Sequence, residues 1–364
     1  MRRGRWLGTA ATVLMAVMLA GCQTATVLPD GRVLLVVAGD ARLFDPATGT
    51  LTPTGTPTAP RVAHAATVLS DGTVLLAGGA SDTGATATAE RFDPATGTFT
   101  ATGDMVEARS LHSATLLADG RVLIAGGGAM TSGDYSPPPL ASAELFDPGT
   151  GTFAATGSMA GPRAMHSATL LGDGTVLIAG GTDGAAVLGS AERFDPATGT
   201  FRAAGPMGAA RALQTATLLG DGGVLMVGGL QQGATTDADP ILLDSVERYD
   251  PATDTFTALG TLSTPRGGHT ATLLADGRVL VTGGMDPSGS GLASAELIDP
   301  ATGVSTPTGD MTLGRGLHTA SLLPDGDVLI VGGELGQTPE AGADPFGSPE
   351  VYHVATGTFE ALGR

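Results

Sequence analysis

The sequence predicts an all-β toroid of seven small blades, each of four antiparallel strands, and three observations predict it. One motif of nearly constant wording recurs seven times at a period near 50 residues, and its Asp-Gly pair begins at positions 30, 71, 119, 173, 221, 276 and 325. A Gly-Gly doublet follows that pair in every copy but the first. Short, almost wholly apolar runs flank the pair, such as Ala114-Thr-Leu-Leu117 and Val122-Leu-Ile-Ala125, and such runs need cover on both faces. A repeat of this length signals stacked supersecondary units rather than one compact core. A radial stack of blades supplies the cover and leaves few exposed strand edges, which makes the fold a seven-bladed β-propeller.

The third copy shows each element in order. Arg109-Ser-Leu-His112 leads into a first strand, His112 to Leu117. Asp119-Gly120 then tolerates the positive φ of a tight hairpin turn. The second strand is Val122 to Ala125 and ends at Gly126-Gly127. A loop follows, and the third strand, Ala143 to Phe146, stops at Asp147-Pro148 because proline cannot donate to a ladder. A second turn, Pro-Gly-Thr-Gly here and Pro-Ala-Thr-Gly in most copies, leads to the fourth strand at Phe153.

The pattern Arg-x-x-His, Gly-Gly, Glu-x-Phe-Asp-Pro and a final aromatic resembles the Kelch family, and the resemblance covers residues 22–364. Kelch motifs usually carry Trp in the fourth strand. Here that position holds Phe99, Phe153, Phe201, Phe256 and Phe359, with Leu51 and Ser305 as departures. The first blade is expected at about 24–56 and six further repeats at 61–362. The first copy lacks the Arg, the His and the Gly-Gly, yet keeps Asp30-Gly31 and Phe44-Asp45-Pro46-Ala-Thr-Gly49. Both end blades are complete from their own end of the chain, so the ring is expected to close by side-chain packing without a borrowed strand.

Residues 1–21 read as an export signal. Arg2, Arg3 and Arg5 precede an apolar run from Leu7 to Ala20, which is too short to span a bilayer. Leu19-Ala20-Gly21-Cys22 resembles the lipobox of bacterial lipoproteins. That resemblance implies cleavage before Cys22, lipid on its thiol, and anchoring at the cell envelope, at the outer membrane in a cell with two membranes. Cys22 is the only cysteine, so no internal disulfide forms. Loss of the three leader arginines takes the net charge from −18 to −21. An acidic chain with no lysine and no basic cluster argues against nucleic acid and against adsorption to anionic lipid.

Repeated polar residues read as scaffold, because chemistry needs a residue once whereas joining blades needs it in every blade. Arg61, Arg109, Arg163, Arg211, Arg266 and Arg315 recur with Glu90, Glu144, Glu192, Glu247, Glu296 and Glu350, and are expected as partly buried ion pairs. His64, His112, His166, His269 and His318 recur in the same way, with Gln214 and Gln23 at that position in two copies. Rotation about the axis spreads these side chains round a ring, whereas metal ligands must converge, so no metal or other cofactor is expected. The loop acids Asp82, Asp134, Asp183, Asp237, Asp239, Asp286 and Asp344 lack the dense alternation of a calcium loop.

Departures from the repeat nominate a binding face. The loops after the Gly-Gly doublets alternate in length, 9, 15, 9, 16, 10 and 16 residues over 80–88, 128–142, 182–190, 230–245, 285–294 and 334–349. They share one end of the blades with the crossovers between blades, while the two invariant turns share the other. Variable loops on a rigid scaffold are where recognition concentrates. Tyr135, Gln214, Gln231, Gln232 and Glu334 are therefore the candidate ligand-binding residues.

Two function classes follow. The first is a monomeric, non-catalytic, lipid-anchored propeller that binds an envelope protein or a glycan. The second is a Kelch-type carbohydrate-active enzyme such as a sialic-acid mutarotase, with acid–base residues at the centre of the ring. Galactose-oxidase chemistry needs copper held by tyrosines and histidines and a cysteine cross-linked to one tyrosine. The inventory here opposes it: the lone cysteine is Cys22, and Tyr249 and Tyr352 read as blade core.

Overall fold

The computed structural model describes residues 23–129, 138–233, 240–333 and 346–362. They form seven four-stranded antiparallel sheets, each built from one repeat, with a small two-stranded sheet inserted in the loops of the second and fifth blades. In the third blade the strands are Ser113–Leu116, Val122–Ala125, Ala143–Asp147 and Thr152–Ala155. The second strand therefore has its expected bounds, the first loses a residue at each end, and the third extends by one. His112 lies just outside the ladder.

The first copy is a complete blade, Thr24–Val27, Val33–Val37, Asp40–Asp45 and Thr50–Pro53. It replaces the Gly-Gly doublet and loop with a two-residue turn. Val37 pairs with Asp40, and Ala38 and Gly39 both adopt positive φ (46° and 98°), the geometry that matches strand twist in a tight hairpin.

The first strands of successive blades lie side by side in a closed inner ring. They are Thr24–Val27, Ala65–Val68, Ser113–Leu116, Ser167–Leu170, Thr215–Leu218, Thr270–Leu273 and Thr319–Leu322, with the seventh neighbouring the first. All are half-buried edge strands composed only of Thr, Ser, Ala, Val and Leu.

The apolar interior is divided into seven cores, each shared by two blades. Between the third and fourth blades, for example, Leu117, Leu123, Ala125 and Ala143 pack on Val176, Ile178 and Phe194. Second strands are buried along their whole length, which explains their unbroken apolar runs. Each aliphatic side chain so buried contributes about 1.5–3 kcal/mol. The ring closes in the same way: Val33, Leu35, Val37 and Phe44 of the first blade pack on Leu323, Leu329, Val331, Phe346 and Val351 of the last. Among the described residues no strand crosses between the end blades. Arg42 adds to this seam, its guanidinium 4.6 Å from the centre of the buried Phe346 ring.

Candidate recognition face

The invariant turns gather at one end of the ring, and the crossovers and variable loops at the other. At the loop end the repeated arginines and glutamates pair within their own blades. The Arg61–Glu90 distance is 3.0 Å, Arg109–Glu144 2.7 Å, Arg163–Glu192 2.7 Å, Arg266–Glu296 2.8 Å and Arg315–Glu350 2.6 Å, and Arg211 pairs with Glu247 likewise. All are buried. Each pair braces a crossover against its blade. Arg109 donates to the carbonyls of Gly126 (2.7 Å) and Ser142 (3.1 Å), while Glu144 accepts the backbone N–H of Val106 (2.6 Å) and of Glu107 (3.1 Å).

The doublet glycines sit where the next blade arrives. Gly126 and Gly127 have φ of 61° and 85°, and Gly127 donates to the Arg163 carbonyl at 2.9 Å. A Cβ on Gly126 would lie 2.4 Å from that carbonyl oxygen and 2.9 Å from His166 Cε1. Any larger residue would push the blades apart.

The histidines stitch blade to blade through the first residue of the preceding inner strand. His64 Nε2 meets Thr24 Oγ1 at 2.9 Å, His166 meets Ser113 Oγ at 2.9 Å, His269 meets Thr215 at 3.1 Å and His318 meets Thr270 at 2.9 Å. Gln214 does the same work with its amide, donating to Ser167 Oγ (3.3 Å) and the Ala179 carbonyl (2.8 Å). Gln23 donates to the Val331 carbonyl. One stitch is missing. His112 faces Ala65, which has no hydroxyl, and neither of its shielded ring nitrogens finds a partner. The His112 and His166 rings keep some surface exposure, but burial of their polar atoms still dominates. Burial first, and then the arginine three residues upstream, push all five imidazoles down to about 3. They are neutral at physiological pH.

Immediately before each histidine position lies a collar that the motif did not reveal. Ala63, Leu111, Met165, Leu213 and Leu317 adopt left-handed φ of 53–59°, and Gly268 takes 63°. Their backbones link round the axis. Leu111 N–H donates to Ala63 O (3.1 Å), Met165 to Leu111 (3.3 Å), Leu213 to Met165 (3.3 Å), Gly268 to Leu213 (3.0 Å) and Leu317 to Gly268 (2.7 Å). A non-glycine residue in this region costs about 1–2 kcal/mol. Apart from the absent side chain at Gly268, only small or apolar residues stand here, and the Leu and Met side chains are half-exposed. The Arg-x-x-His spacing hid them, because the variable residues of a motif carry no repeat signal.

Of the proposed ligand-binding residues, Gln231 and Gln232 are half-buried at the start of the fifth-blade loop, where Leu230–Gln231 pairs with Ile241–Leu242. Gln214 lies deeper, between blades, with its amide nitrogen bonded to the Ala179 carbonyl. Tyr135 and Glu334 lie outside the described residues, as do Cys22, Asp134, Asp237, Asp239 and Asp344. Asp183 and Asp286 hold their own loops together. The first accepts the backbone N–H groups of Ala185 (2.7 Å) and Ala186 (2.6 Å), the second those of Ser288 (2.8 Å) and Ser290 (3.0 Å).

Over residues 63–284, more than half of its length, the chain matches the KLHDC2/KLHL20/DRC7 Kelch-repeats domain. The chain belongs to the Kelch-repeat family. No curated protein sequence matches it. Among solved structures it is similar to a fungal alcohol oxidase of the AA5 family in complex with copper, with a TM-score of 0.69 and 20% identity over 88% of this chain and 72% of that one. It is also similar to YjhT, with a TM-score of 0.64 and 14% identity over 79% of this chain and 97% of that one. At these identities the likeness is one of fold. The copper of the fungal enzyme finds no matching donor set among the described residues of this Kelch chain. Tyr249 and Tyr352 are buried in separate blades, their rings 4.7 Å and 4.9 Å from Phe256 and Phe359. Their hydroxyls bond Asp254 and Thr308. No three His, Cys, Asp or Glu side chains among the described residues converge on one point.

Proposed function

We propose that this Kelch propeller is a non-catalytic recognition module, held at a bacterial cell envelope through lipid on Cys22 and binding an envelope protein or glycan with its loop end. The observation that supports this most is the chemistry of the centre. The seven inner strands offer no charged, amide or aromatic side chain, and the described residues that lead into them are neutral histidines, the amides of Gln214 and Gln23, and left-handed small or apolar residues. Acid–base catalysis needs a titratable group poised near the working pH, and burial pushes the five repeated histidines below that range. The repeated Arg–Glu pairs are equally engaged, as Arg109 and Glu144 are by the Gly126 carbonyl and the Val106 N–H. What is left to vary is the loop rim.

The experiment is a glycan array and an envelope pull-down with the mature protein, run beside a mutarotation assay. Saturable capture without turnover is the expected result. Anomer interconversion of a sialic acid at an enzymatic rate overturns the reading in favour of the carbohydrate-active alternative. Cys22→Ser should abolish fatty-acid labelling and release the protein from membranes; a labelled Cys22→Ser protein overturns the anchor.

A further inference from the structure

Cys22 is joined by one peptide bond to a residue that the fold holds fast. Gln23 is 8% exposed, and its amide donates to the Val331 carbonyl of the last blade, across the closing seam. It packs where Gly332 lacks a side chain, since a Cβ there would fall on the Gln23 amide. The next residue, Thr24, already opens the first inner strand, Thr24–Val27, and its hydroxyl bonds His64 Nε2 at 2.9 Å. Adjacent Cα atoms lie about 3.8 Å apart, so no slack separates the Cys22 thiol from the ring.

The direction and the place of this tether are fixed as well. The first inner strand runs from the loop end toward the Asp30-Gly31 turn, so the chain enters it from the loop end. Gln23 stands where five other blades have histidine, which gives Cys22 the sequence position of Leu111 and Met165. In the two flanking blades that position holds the apolar residues Ala63 and Leu317. The tether therefore leaves from an innermost strand, beside the axis, and not from an outer one. A tether at the rim would let the ring stand on edge. One beside the axis is comparably near to all seven blades, so the bilayer meets the loop end as a whole. A thioether-linked diacylglycerol sets its ester groups only a few bonds from the sulfur, and two acyl chains hold firmly in a bilayer.

From the buried Gln23 and the axial entry of the chain, we propose that the loop end of the propeller lies flat against the bilayer that holds the Cys22 lipid, with the Asp-Gly end turned toward the aqueous compartment. This rests on the lipid-anchor reading above and adds an orientation that lipidation alone does not set. Ser81 and Asp82 are exposed on the loops of that end. Such polar loops rest among headgroups while only the acyl chains enter the hydrocarbon. A carboxylate there is repelled by an anionic surface, so the match is a zwitterionic headgroup layer. Whatever the loop rim captures must then reach it along the membrane surface.

Cys22 is the sole cysteine and its thiol is taken by the lipid, so an introduced cysteine can be labelled alone. Ser81→Cys and Ala185→Cys place a fluorophore at the loop end, and Ala118→Cys and Ala275→Cys place one beside the Asp-Gly turns; all four positions are exposed. The probe is the mature lipidated protein in phosphatidylcholine vesicles that carry a nitroxide on the headgroup of a minor lipid. Loop-end labels should be quenched severalfold more strongly than far-end labels. A Gly/Ser linker of about 20 residues between Cys22 and Gln23 reaches roughly 25 Å. Vesicle flotation should survive its insertion, while loop-end quenching falls to the far-end level. Equal quenching at both ends, or quenching that ignores the linker, in a protein that carries fatty acid overturns the orientation and leaves the anchor standing. A mature chain that takes up no fatty acid and does not float with vesicles overturns the anchor reading, and the orientation with it.

Discussion

The two ends of the ring use the same side-chain types in opposite ways. At the Asp-Gly end the pairs are local and wet: Asp119 accepts the Arg121 backbone N–H at 3.0 Å and meets its guanidinium at 2.6 Å, with both side chains more than a third exposed. At the loop end Arg109 and Glu144 make a similar 2.7 Å contact with both side chains shielded. The histidines divide likewise. His353, unique to the last blade at the Asp-Gly end, lies between Asp327 (2.6 Å) and Glu360 (3.1 Å). Its pKa is raised, chiefly by the hydrogen bond to Asp327 and then that to Glu360. The loop-end imidazoles are pushed down by burial. A residue type thus says little about energy until its surroundings are known.

Acid should break this comparison most visibly. A histidine whose folded pKa lies near 3, against about 6.5 unfolded, takes up a proton more readily in the unfolded chain. Its contribution is intact above about 6.5 and is lost as pH falls toward 3, at about 1.4 kcal/mol per pH unit for each such group. Five such groups should make stability drop steeply in that window, measured by urea unfolding at stepped pH. His166→Gln, which copies Gln214, should flatten the slope; an unchanged slope would sink this account.

The ion pairs come next. Glu144→Gln leaves a buried guanidinium without its counter-charge and should cost about 3–5 kcal/mol, whereas Arg121→Ala should cost no more than about 1 kcal/mol. Equal denaturation midpoints for the two variants would erase the distinction between the ends.

Smaller effects test the stitches. Ala65→Ser offers His112 the hydroxyl that its sisters have and should stabilise by about 1 kcal/mol, while Ser113→Ala should destabilise by a similar amount. Calorimetric melts with shifts of the same sign would contradict the stitch. The smallest effect belongs to His353. With its pKa raised, its contribution is present below about 6.5 and fades as pH rises through the folded value. His353→Gln should slightly reduce stability at mildly acidic pH and not above neutrality, a sign opposite to that of the buried ring.

Blade number, strand order and the structural pairing of Arg with Glu were legible from the repeat, because turn chemistry at Asp-Gly and proline stops are local and recur in every copy. The two-residue turn at Ala38-Gly39 was not, since a missing doublet reads as decay rather than as a tighter hairpin. Gln214 shows a related limit: the sequence says that a glutamine keeps hydrogen bonding at the histidine position, but only the assembled ring shows its amide reaching Ser167, 47 residues earlier.

The linear chain thus dictated what each blade is, since pleat, turn and apolar run depend on neighbours within a few residues. Only the assembled ring decided which side chains meet between blades. That is why His112 lacks a partner at Ala65, why Arg42 rests on Phe346 across the closing seam, and why a collar of left-handed residues surrounds the axis. Those meetings depend on how one sheet slides and turns against the next, and packing in the shared cores sets that register.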